Sequence, residues 1–268
     1  MRIFARIKPR LAEYVMGERI EAWTQEHIGP ISQVDTKEPV VSLTFDDGPH
    51  PVFTPRLLEV LAKHDARATF FMLGDMARRY PDIVRAAAEQ GHAIGNHTYD
   101  HVSVPLVSRK ELKRQIKECS RTLAPSEQKL FRPPYGQRSI RSCIDAAALG
   151  YEIIAWNVHA FDWLDHDAEW MADHMESHVG PGSIVALHDA LYHVMENAYA
   201  DRMPTVEAVN LLLGRAKGKY RFVTVPELMR HGSVRRQSCA GRVDREFLKT
   251  LKPNDGPVHT YEESAIAS

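Results

Sequence analysis

The chain has 268 residues, of which 44% are hydrophobic and 26% charged, and its formal net charge is -1. That length suffices for one α/β domain with a core that needs no disulfide bonds, and the composition excludes a disordered chain. The balanced charge excludes a strongly basic protein, so we expect no nucleic-acid partner.

The first 37 residues are expected to form an N-terminal extension, largely helical. Its apolar residues at helical spacing are Ile3, Phe4, Ile7, Leu11 and Tyr14, and basic residues lie between them. The segment has no apolar stretch of the length that a signal peptide needs, so we expect a cytoplasmic protein. This helix can either pack on its own domain, which we favour, or lie on the inner face of the membrane.

Between residues 38 and 230, short apolar runs alternate with amphipathic helical patterns. Strands are predicted over 40–45, 68–73, 93–96, 130–132, 151–158, 183–187 and 220–225. Helices are predicted over 55–63, 81–90, 108–123, 140–149, 168–178 and 205–217. This alternation predicts a parallel sheet, and about seven strand–helix units favour a barrel over an open sheet.

Residues 231–268 are polar and rich in arginine at first, then in proline and glycine, and they predict a C-terminal extension with a helix and a disordered end. The chain has three widely spaced cysteines, Cys119, Cys143 and Cys239, with no C-x-x-C pair. This spacing gives no sign of a zinc ribbon or a thioredoxin-like site. We expect three buried thiols in a reducing compartment.

Polar side chains follow five of the predicted strands. They are Asp46 and Asp47; His97 and His101; Arg132 and Tyr135; His159, Asp162 and Trp163; and His188 and Asp189. In parallel barrels the catalytic groups converge at the carboxyl ends of the strands. The repeated placement of acidic and imidazole groups there predicts a catalytic rim.

Asp46 and Asp47 are adjacent carboxylates, which repel each other unless a cation lies beside them. A metal ion would supply that charge; the alternative is a solvated turn. His97 and His101 are spaced so that they can share a metal, or they can be two separately hydrogen-bonded histidines. Two imidazoles and one carboxylate suit catalytic zinc and tolerate other divalent transition metals.

The loop that starts at Arg132 contains two prolines, which would hold a backbone N–H near Tyr135 toward a developing oxyanion. Arg132 can pair with Asp46, or the loop can be a structural turn with an exposed arginine. His188 suits a general acid because imidazole titrates near neutral pH. Alternatively, His188 is a structural histidine that is hydrogen-bonded to a neighbouring carbonyl group.

Five segments together resemble the polysaccharide deacetylase family, also called the NodB homology domain or carbohydrate esterase family four. They are TFDDGP at 44–49, HTYDH at 97–101, RPPYG at 132–136, HAFDW at 159–163 and LHD at 187–189, and ATFF at 68–71 also fits. The resemblance covers about residues 38–230. It implies a distorted, seven- or eight-stranded (β/α) barrel that binds one divalent metal, zinc foremost, with cobalt, nickel or manganese as alternatives.

The resemblance also implies a role for each matching residue. The metal ligands would be Asp47, His97 and His101. Asp46 would be the general base, oriented by Arg132, and His188 the general acid. The metal and the backbone N–H of Tyr135 would form the oxyanion hole. Tyr135, Trp163 and Leu187 would contact the substrate, the last two as walls of the pocket for the acetyl methyl group.

One departure from the family pattern concerns His159, where relatives usually have an aspartate that supports the acid histidine. A neutral imidazole cannot stabilise an imidazolium through charge. We therefore hypothesise that the pKa of His188 is lower here than in relatives with that aspartate, unless Asp162, Asp165 or Asp189 takes its place.

The resemblance implies removal of acetyl groups from an acetamido sugar, as a chito-oligosaccharide, a peptidoglycan-like polymer or a lipid-linked glycan. The alternatives are the same chemistry on a formylated amino sugar or a non-sugar amide or imide, and a non-catalytic, metal-containing carbohydrate-binding module. Loops 49–54 and 188–203 are expected to shape the groove. In the second loop, Tyr192, His193 and Tyr199 can stack on sugar rings or pack within the loop.

Overall fold

The computed structural model describes residues 9–241 and 244–253; residues 9–16, 18 and 253 are described by their backbone alone. The predicted apolar face at Ile3, Phe4 and Ile7 lies outside these residues, as does the end of the C-terminal extension. Within the described part of the chain, no helix has the length and apolar character to cross a membrane.

Helices and strands alternate through most of the chain. The strands are β1 (Ile31–Asp35), β2 (Val40–Asp46), β3 (Ala68–Met72), β4 (Ala93–Asn96), β5 (Glu127–Phe131), β6 (Glu152–Ile153), β7 (Val158–His159), β8 (Ile184–His188), β9 (His193–Val194), β10 (Arg221–Phe222), β11 (Ser233–Arg236) and β12 (Lys252–Pro253). The helices are α1 (Pro9–Ile28), α2 (Phe53–Lys63), α3 (Gly74–Arg79), α4 (Pro81–Glu89), α5 (Arg109–Leu123), α6 (Ile140–Ala148), α7 (Ala168–His178), α8 (Met203–Arg215), α9 (Val225–Leu228) and α10 (Arg245–Thr250).

One parallel sheet organises the molecule. Its strand order is β6-β5-β4-β3-β2-β8-β7, and β10 pairs with the start of β2 as an eighth strand. The sheet curls, and the segment that joins β6 to β7 links its two edges: Ile154 N donates to Phe131 O (2.9 Å) and Asn157 N donates to Ile184 O (3.2 Å). The predicted distorted barrel is therefore confirmed.

The predicted strand over 151–158 is interrupted. Its first half pairs with β5 and its last residues pair with β8. Between them Ala155 N donates to Ile31 O of β1 at 2.7 Å. The chain leaves one edge of the sheet for the other within a few residues, so it cannot keep a single continuous ladder.

Alternate residues of the central strands face opposite sides of the sheet. Val41, Leu43 and Phe45 of β2 pack in one hydrophobic cluster with residues of α2, α7 and α8. Val185 and Leu187 of β8 belong to the same outer cluster, whereas Ile184 packs in a second cluster with β1. Side chains at 184, 186 and 188 thus face the inside of the curl.

Local signals explain several element ends. Ser108 caps α5 by accepting a hydrogen bond from Glu111 N (3.1 Å), as its spacing predicts. Helix α3 was not predicted, because six residues beginning with glycine carry little periodicity.

Cys119, Cys143 and Cys239 are free and buried, in agreement with the sequence interpretation.

The described parts of the two terminal extensions pack on the barrel. Strand β1 pairs antiparallel with β11, and α1 lies against α6. Strand β12 pairs antiparallel with β9, which follows β8 in the chain. The C-terminal segment therefore returns to the rim where the polar side chains collect.

Candidate active site

Asp46 and Asp47 lie where β2 reaches the rim, and both are 4% exposed. Asp47 adopts a left-handed conformation (φ 73°), which turns its side chain away from that of Asp46. The following Gly48 is required because an added Cβ would lie 2.2 Å from Oδ2 of Asp189. The Asp-Asp-Gly sequence thus places two buried carboxylates beside different partners, Arg132 for Asp46 and the two histidines for Asp47.

Asp47, His97 and His101 place one donor atom each within 4.8 Å of one another. Oδ1 of Asp47 lies 3.2 Å from Nε2 of His97 and 3.1 Å from Nε2 of His101. Nδ1 of His97 lies 2.7 Å from the Arg132 carbonyl oxygen, so this nitrogen carries the proton and Nε2 presents its lone pair.

This triad fits a divalent cation. Oδ1 of Asp47 is buried and makes no well-aligned hydrogen bond within the described residues, so a cation among the three donors would satisfy it. Burial opposes ionisation of Asp47, but His101 and His97 hold its pKa well below the usual range. Oδ2 accepts a hydrogen bond from Tyr192 N (2.9 Å), which orients the carboxylate.

Arg132 is completely buried and holds Asp46 in place. Its Nη1 donates to Oδ1 of Asp46 (2.8 Å) and to Oγ1 of Thr44 (2.7 Å). Nε and Nη2 donate to the carbonyl oxygens of Ile154 (3.3 Å) and Ala155 (3.1 Å), at the break between β6 and β7. The guanidinium is thereby satisfied on several sides, and the predicted Arg132–Asp46 pair is present.

His188 ends β8 and pairs with Asp162. Its Nδ1 lies 2.9 Å from Oδ1 of Asp162, and its backbone N–H donates to Oδ2 at 2.8 Å. Burial lowers the pKa of His188, but the charge and hydrogen bond of Asp162, together with the charges of Asp47 and Asp46, outweigh burial and raise that pKa to about 9. Arg202, itself buried, lies beside Asp162 and donates to its carbonyl oxygen.

Of the three aspartates named as possible substitutes, Asp162 is the one that contacts His188, so the exception to the hypothesised lower pKa applies. His159 instead stacks edge-on against Phe161, with ring centroids 3.8 Å apart. Asp189 bonds elsewhere: Oγ1 of Thr54 donates to its Oδ2 at 2.5 Å. Burial raises the pKa of Asp189 to about 7.

Tyr135 borders the triad. Its backbone is left-handed (φ 57°), and its hydroxyl lies 2.7 Å from Nδ1 of His193. The same nitrogen of His193 lies 3.4 Å from Nδ1 of His101. Burial raises the pKa of Tyr135, so the phenol stays neutral.

A cavity of about 290 Å³ brings these groups together. It is lined by Asp46, Asp47, His97, His101, Tyr135, Gly136, Trp156, Trp163, Ala186, His188, Leu191, His193, Val194, Met195, Phe247 and Leu251. Trp163 is in the expected position, with its ring centroid 5.7 Å from that of His188. The assignment of Leu187 to this wall was wrong: Leu187 is fully buried in the outer cluster, and Ala186, two residues before His188, faces the cavity.

Comparison with known proteins decides the family. The polysaccharide deacetylase family model matches residues 33–154. A peptidoglycan-N-acetylglucosamine deacetylase of Bacillus cereus is 32% identical over 221 residues, which are 81% of this chain and 76% of that protein. The chain belongs to the polysaccharide deacetylase family.

Two further similarities extend this assignment. A chitooligosaccharide deacetylase of Sinorhizobium fredii is 36% identical over 168 residues, 61% of this chain and 78% of that protein. A solved peptidoglycan N-acetylglucosamine deacetylase in complex with 4-naphthalen-1-yl-N-oxidanyl-benzamide has a TM-score of 0.72 at 30% identity. That similarity covers 81% of this chain and 98% of the solved one.

Sequence reasoning missed several residues of this polysaccharide deacetylase site. Arg202, Trp156 and the C-terminal pair Phe247 and Leu251 carry no local motif, and only the fold brings them to the rim. Asp162 lies within the HAFDW segment, and the sequence offers it only as one of three possible partners of His188. Its position directly before Trp163 was the available signal.

Proposed function

We propose that this enzyme removes the N-acetyl group from an acetamido sugar by metal-assisted hydrolysis. The observation that supports this most is that Asp46 and His188, each held by a different partner, line the same cavity as the triad of Asp47, His97 and His101. Asp46 is paired with Arg132, and His188 is paired with Asp162. One group is held as a base and the other as an acid, and both line the same cavity.

Asp47, His97 and His101 would hold one divalent cation, with zinc as our first choice and cobalt, nickel or manganese as alternatives. When bound there, the cation would supply polarisation of the amide carbonyl and a lower pKa for the attacking water. The relatives named as deacetylases of peptidoglycan and chito-oligosaccharides support an N-acetylated carbohydrate as the substrate.

Asp46 takes a proton from the attacking water, and the hydrogen bond from Arg132 holds this carboxylate in position. The backbone N–H of Tyr135 donates to the developing oxyanion. His188, whose Nδ1 is engaged by Asp162, donates from Nε2 to the departing sugar nitrogen. The carbon–nitrogen bond breaks, and acetate and a free amine leave.

Trp163 and Ala186 would contact the acetyl methyl, together with Leu191. Alanine at 186 leaves more room than a larger aliphatic residue would. A formylated amino sugar or a non-sugar amide remains the alternative substrate, and a carbohydrate-binding module without catalysis is the alternative function. The cytoplasmic location predicted from the sequence stays a prediction.

The deciding experiment measures acetate release from N-acetylglucosamine oligomers by metal-loaded and chelator-treated protein. We expect metal-dependent release that is lost in Asp46→Asn and kept in Asp165→Asn, because Asp165 is an exposed carboxylate outside the cavity. Stoichiometric metal binding without acetate release would contradict N-deacetylation of these oligomers. Formate release from an N-formyl sugar would then favour the alternative substrate.

A further inference from the structure

The C-terminal segment 244–253, hereafter the strap, contributes two residues to the lining of the active-site cavity. It consists of α10 and β12. Asp244 caps α10 by accepting a hydrogen bond from Phe247 N (2.8 Å). Strand β12 then pairs with β9, with Lys252 opposite Val194 and the backbone of Pro253 opposite His193.

The strap is amphipathic, and its apolar side faces the cavity. Arg245, Glu246, Lys249 and Thr250 are exposed, whereas Phe247, Leu248 and Leu251 are half-buried. Phe247 and Leu251 line the same cavity as the ligand triad. The strap therefore supplies an apolar wall of the cavity and leaves its charged side in solvent.

The strap is joined to the catalytic machinery through β9. Val194, on β9, is 1% exposed, and it lines the cavity together with the next residue, Met195. The neighbouring His193 contacts the Tyr135 hydroxyl (2.7 Å) and Nδ1 of His101 (3.4 Å). The wall thus has a defined place relative to the residues that would bind the metal.

A deacetylase that acts within a long glycan needs a groove open on both sides of the catalytic residues. Here the strap stands on one side, and the cavity of about 290 Å³ is at the lower limit of typical small-molecule pockets, roughly 300 Å³. A space of that size suits one sugar ring better than a chain running through. The apolar face of a sugar ring can pack on Phe247 and Leu251.

We propose that the strap restricts this enzyme to free acetamido sugars and to the terminal acetamido sugar of short oligosaccharides. This inference rests on the proposed deacetylase function and specifies its substrate class. Phe247 and Leu251 are then specificity-determining residues. They are placed there by the chain's own C-terminal segment, not by loops 49–54 and 188–203 alone.

The test compares wild-type protein with the double variant Phe247→Ala/Leu251→Ala, with Leu248→Ala as the matched control because Leu248 does not line the cavity. Substrates are N-acetylglucosamine and its oligomers up to the hexamer, and mass spectrometry locates each deacetylated unit. We expect terminal deacetylation by wild type. In the double variant, kcat/KM for the shortest substrates should fall about tenfold or more, because two apolar contacts are lost. Deacetylation should also extend to internal units.

A second variant that lacks residues 244–268 should shift the pattern in the same direction, with its melting curve as the check on folding. Equal deacetylation of internal and terminal units by wild type would overturn the strap proposal and leave the proposed function standing. A pattern unchanged in both variants would overturn it as well. Absence of acetate from every substrate in the presence of metal would overturn the proposed function, and the strap proposal with it.

Discussion

His188 makes two contacts with Asp162: its Nδ1 lies 2.9 Å from one carboxylate oxygen, and its backbone N–H donates to the other at 2.8 Å. The carboxylate therefore fixes both the backbone and the ring of the histidine. It also favours the imidazolium, against the effect of burial. Because Nδ1 is engaged, Nε2 is the nitrogen available to a substrate in the cavity that His188 lines.

This pair predicts the alkaline limit of activity. The pKa of His188 is raised to about 9, so its acid form is present below that pH and is lost as pH rises through it. In Asp162→Asn we expect the alkaline limb of the kcat profile to move to lower pH. We also expect kcat to fall on the order of 100-fold, the lower range for loss of general acid catalysis.

The check on this prediction is a pH–rate profile together with NMR titration of the His188 ring. Asp165→Asn is the matched control, since Asp165 is exposed and lies in the same loop. An alkaline limb that stays in place in Asp162→Asn would show that another group titrates there.

A second prediction concerns the ligand triad. Asp47→Ala removes the charged member, so we expect loss of measurable zinc binding in calorimetry. Asp46→Asn should still bind, because its carboxylate is paired with Arg132 and lies outside the triad. In wild type, metal at 100 times its Kd should stabilise the fold by about 2.7 kcal/mol, seen as a raised Tm that chelator reverses. Equal binding by Asp47→Ala and wild type would exclude the triad as the site.

A third prediction concerns the buried ion pair of Arg132 and Asp46. Arg132→Met leaves a buried carboxylate without its partner, and we expect a loss of about 3–5 kcal/mol in the free energy of unfolding. The double variant Arg132→Met/Asp46→Asn should recover part of that loss while remaining inactive. Urea denaturation measures both. Additive losses in the double variant would mean that the two side chains are not energetically coupled.

Two buried histidines outside the catalytic set predict sensitivity of the fold to acid. Nδ1 of His50 accepts hydrogen bonds from Val52 N (3.1 Å) and Phe53 N (3.3 Å) at the start of α2. Nδ1 of His92 accepts from Ala68 N at 3.1 Å. Burial, assisted by nearby arginines, lowers the pKa of each to about 4. Both imidazoles are therefore neutral in the folded protein at neutral pH.

The direction of the pH effect on stability follows from the pKa of histidine in the unfolded chain, about 6.5. Above that pH neither state binds the proton, so the contribution to stability is complete; as pH falls toward 4, only the unfolded chain gains protons. We expect each histidine to lower the free energy of unfolding by up to about 3 kcal/mol as the pH falls through this range. Denaturation curves recorded from pH 7.5 to 4.5 give the slope of the free energy of unfolding against pH. His92→Gln should flatten it and exposed His178→Gln should not; equal slopes in all three proteins would refute the assignment.

The sequence was sufficient to predict the rim, because strand ends in a parallel barrel bring successive polar residues together. It located the triad, the Arg132–Asp46 pair and the strand that carries His188. It misplaced Leu187, because the motif as matched did not say which of two adjacent residues faces inward. Alternation along β8 decides that: Ala186 shares the inner face with His188, and Leu187 lies on the other.

Other features depended on long-range geometry. The break between β6 and β7 arises because one segment serves both edges of a curled sheet, and its apolar run reads as a continuous strand. The strap lies far along the chain from the residues it contacts, and its composition predicts a helix in the extension without indicating where that helix packs. The choice of Asp162 over His159 as partner of His188 depends on the direction in which the loop after β7 turns.

The pairing of β2 with β8 sets a condition on biosynthesis. Asp46 and His188 are opposite each other in that ladder, although about half of the chain separates them. A nascent chain that has emerged only as far as α5 already contains Asp47, His97 and His101, but β2 can pair only with β3, because β8 and β10 are not yet made. The central strand must therefore wait, with one edge unpaired, until β8 leaves the ribosome. During that interval the partly synthesised protein is exposed to mispairing, a period when assistance from a chaperone would be of most use.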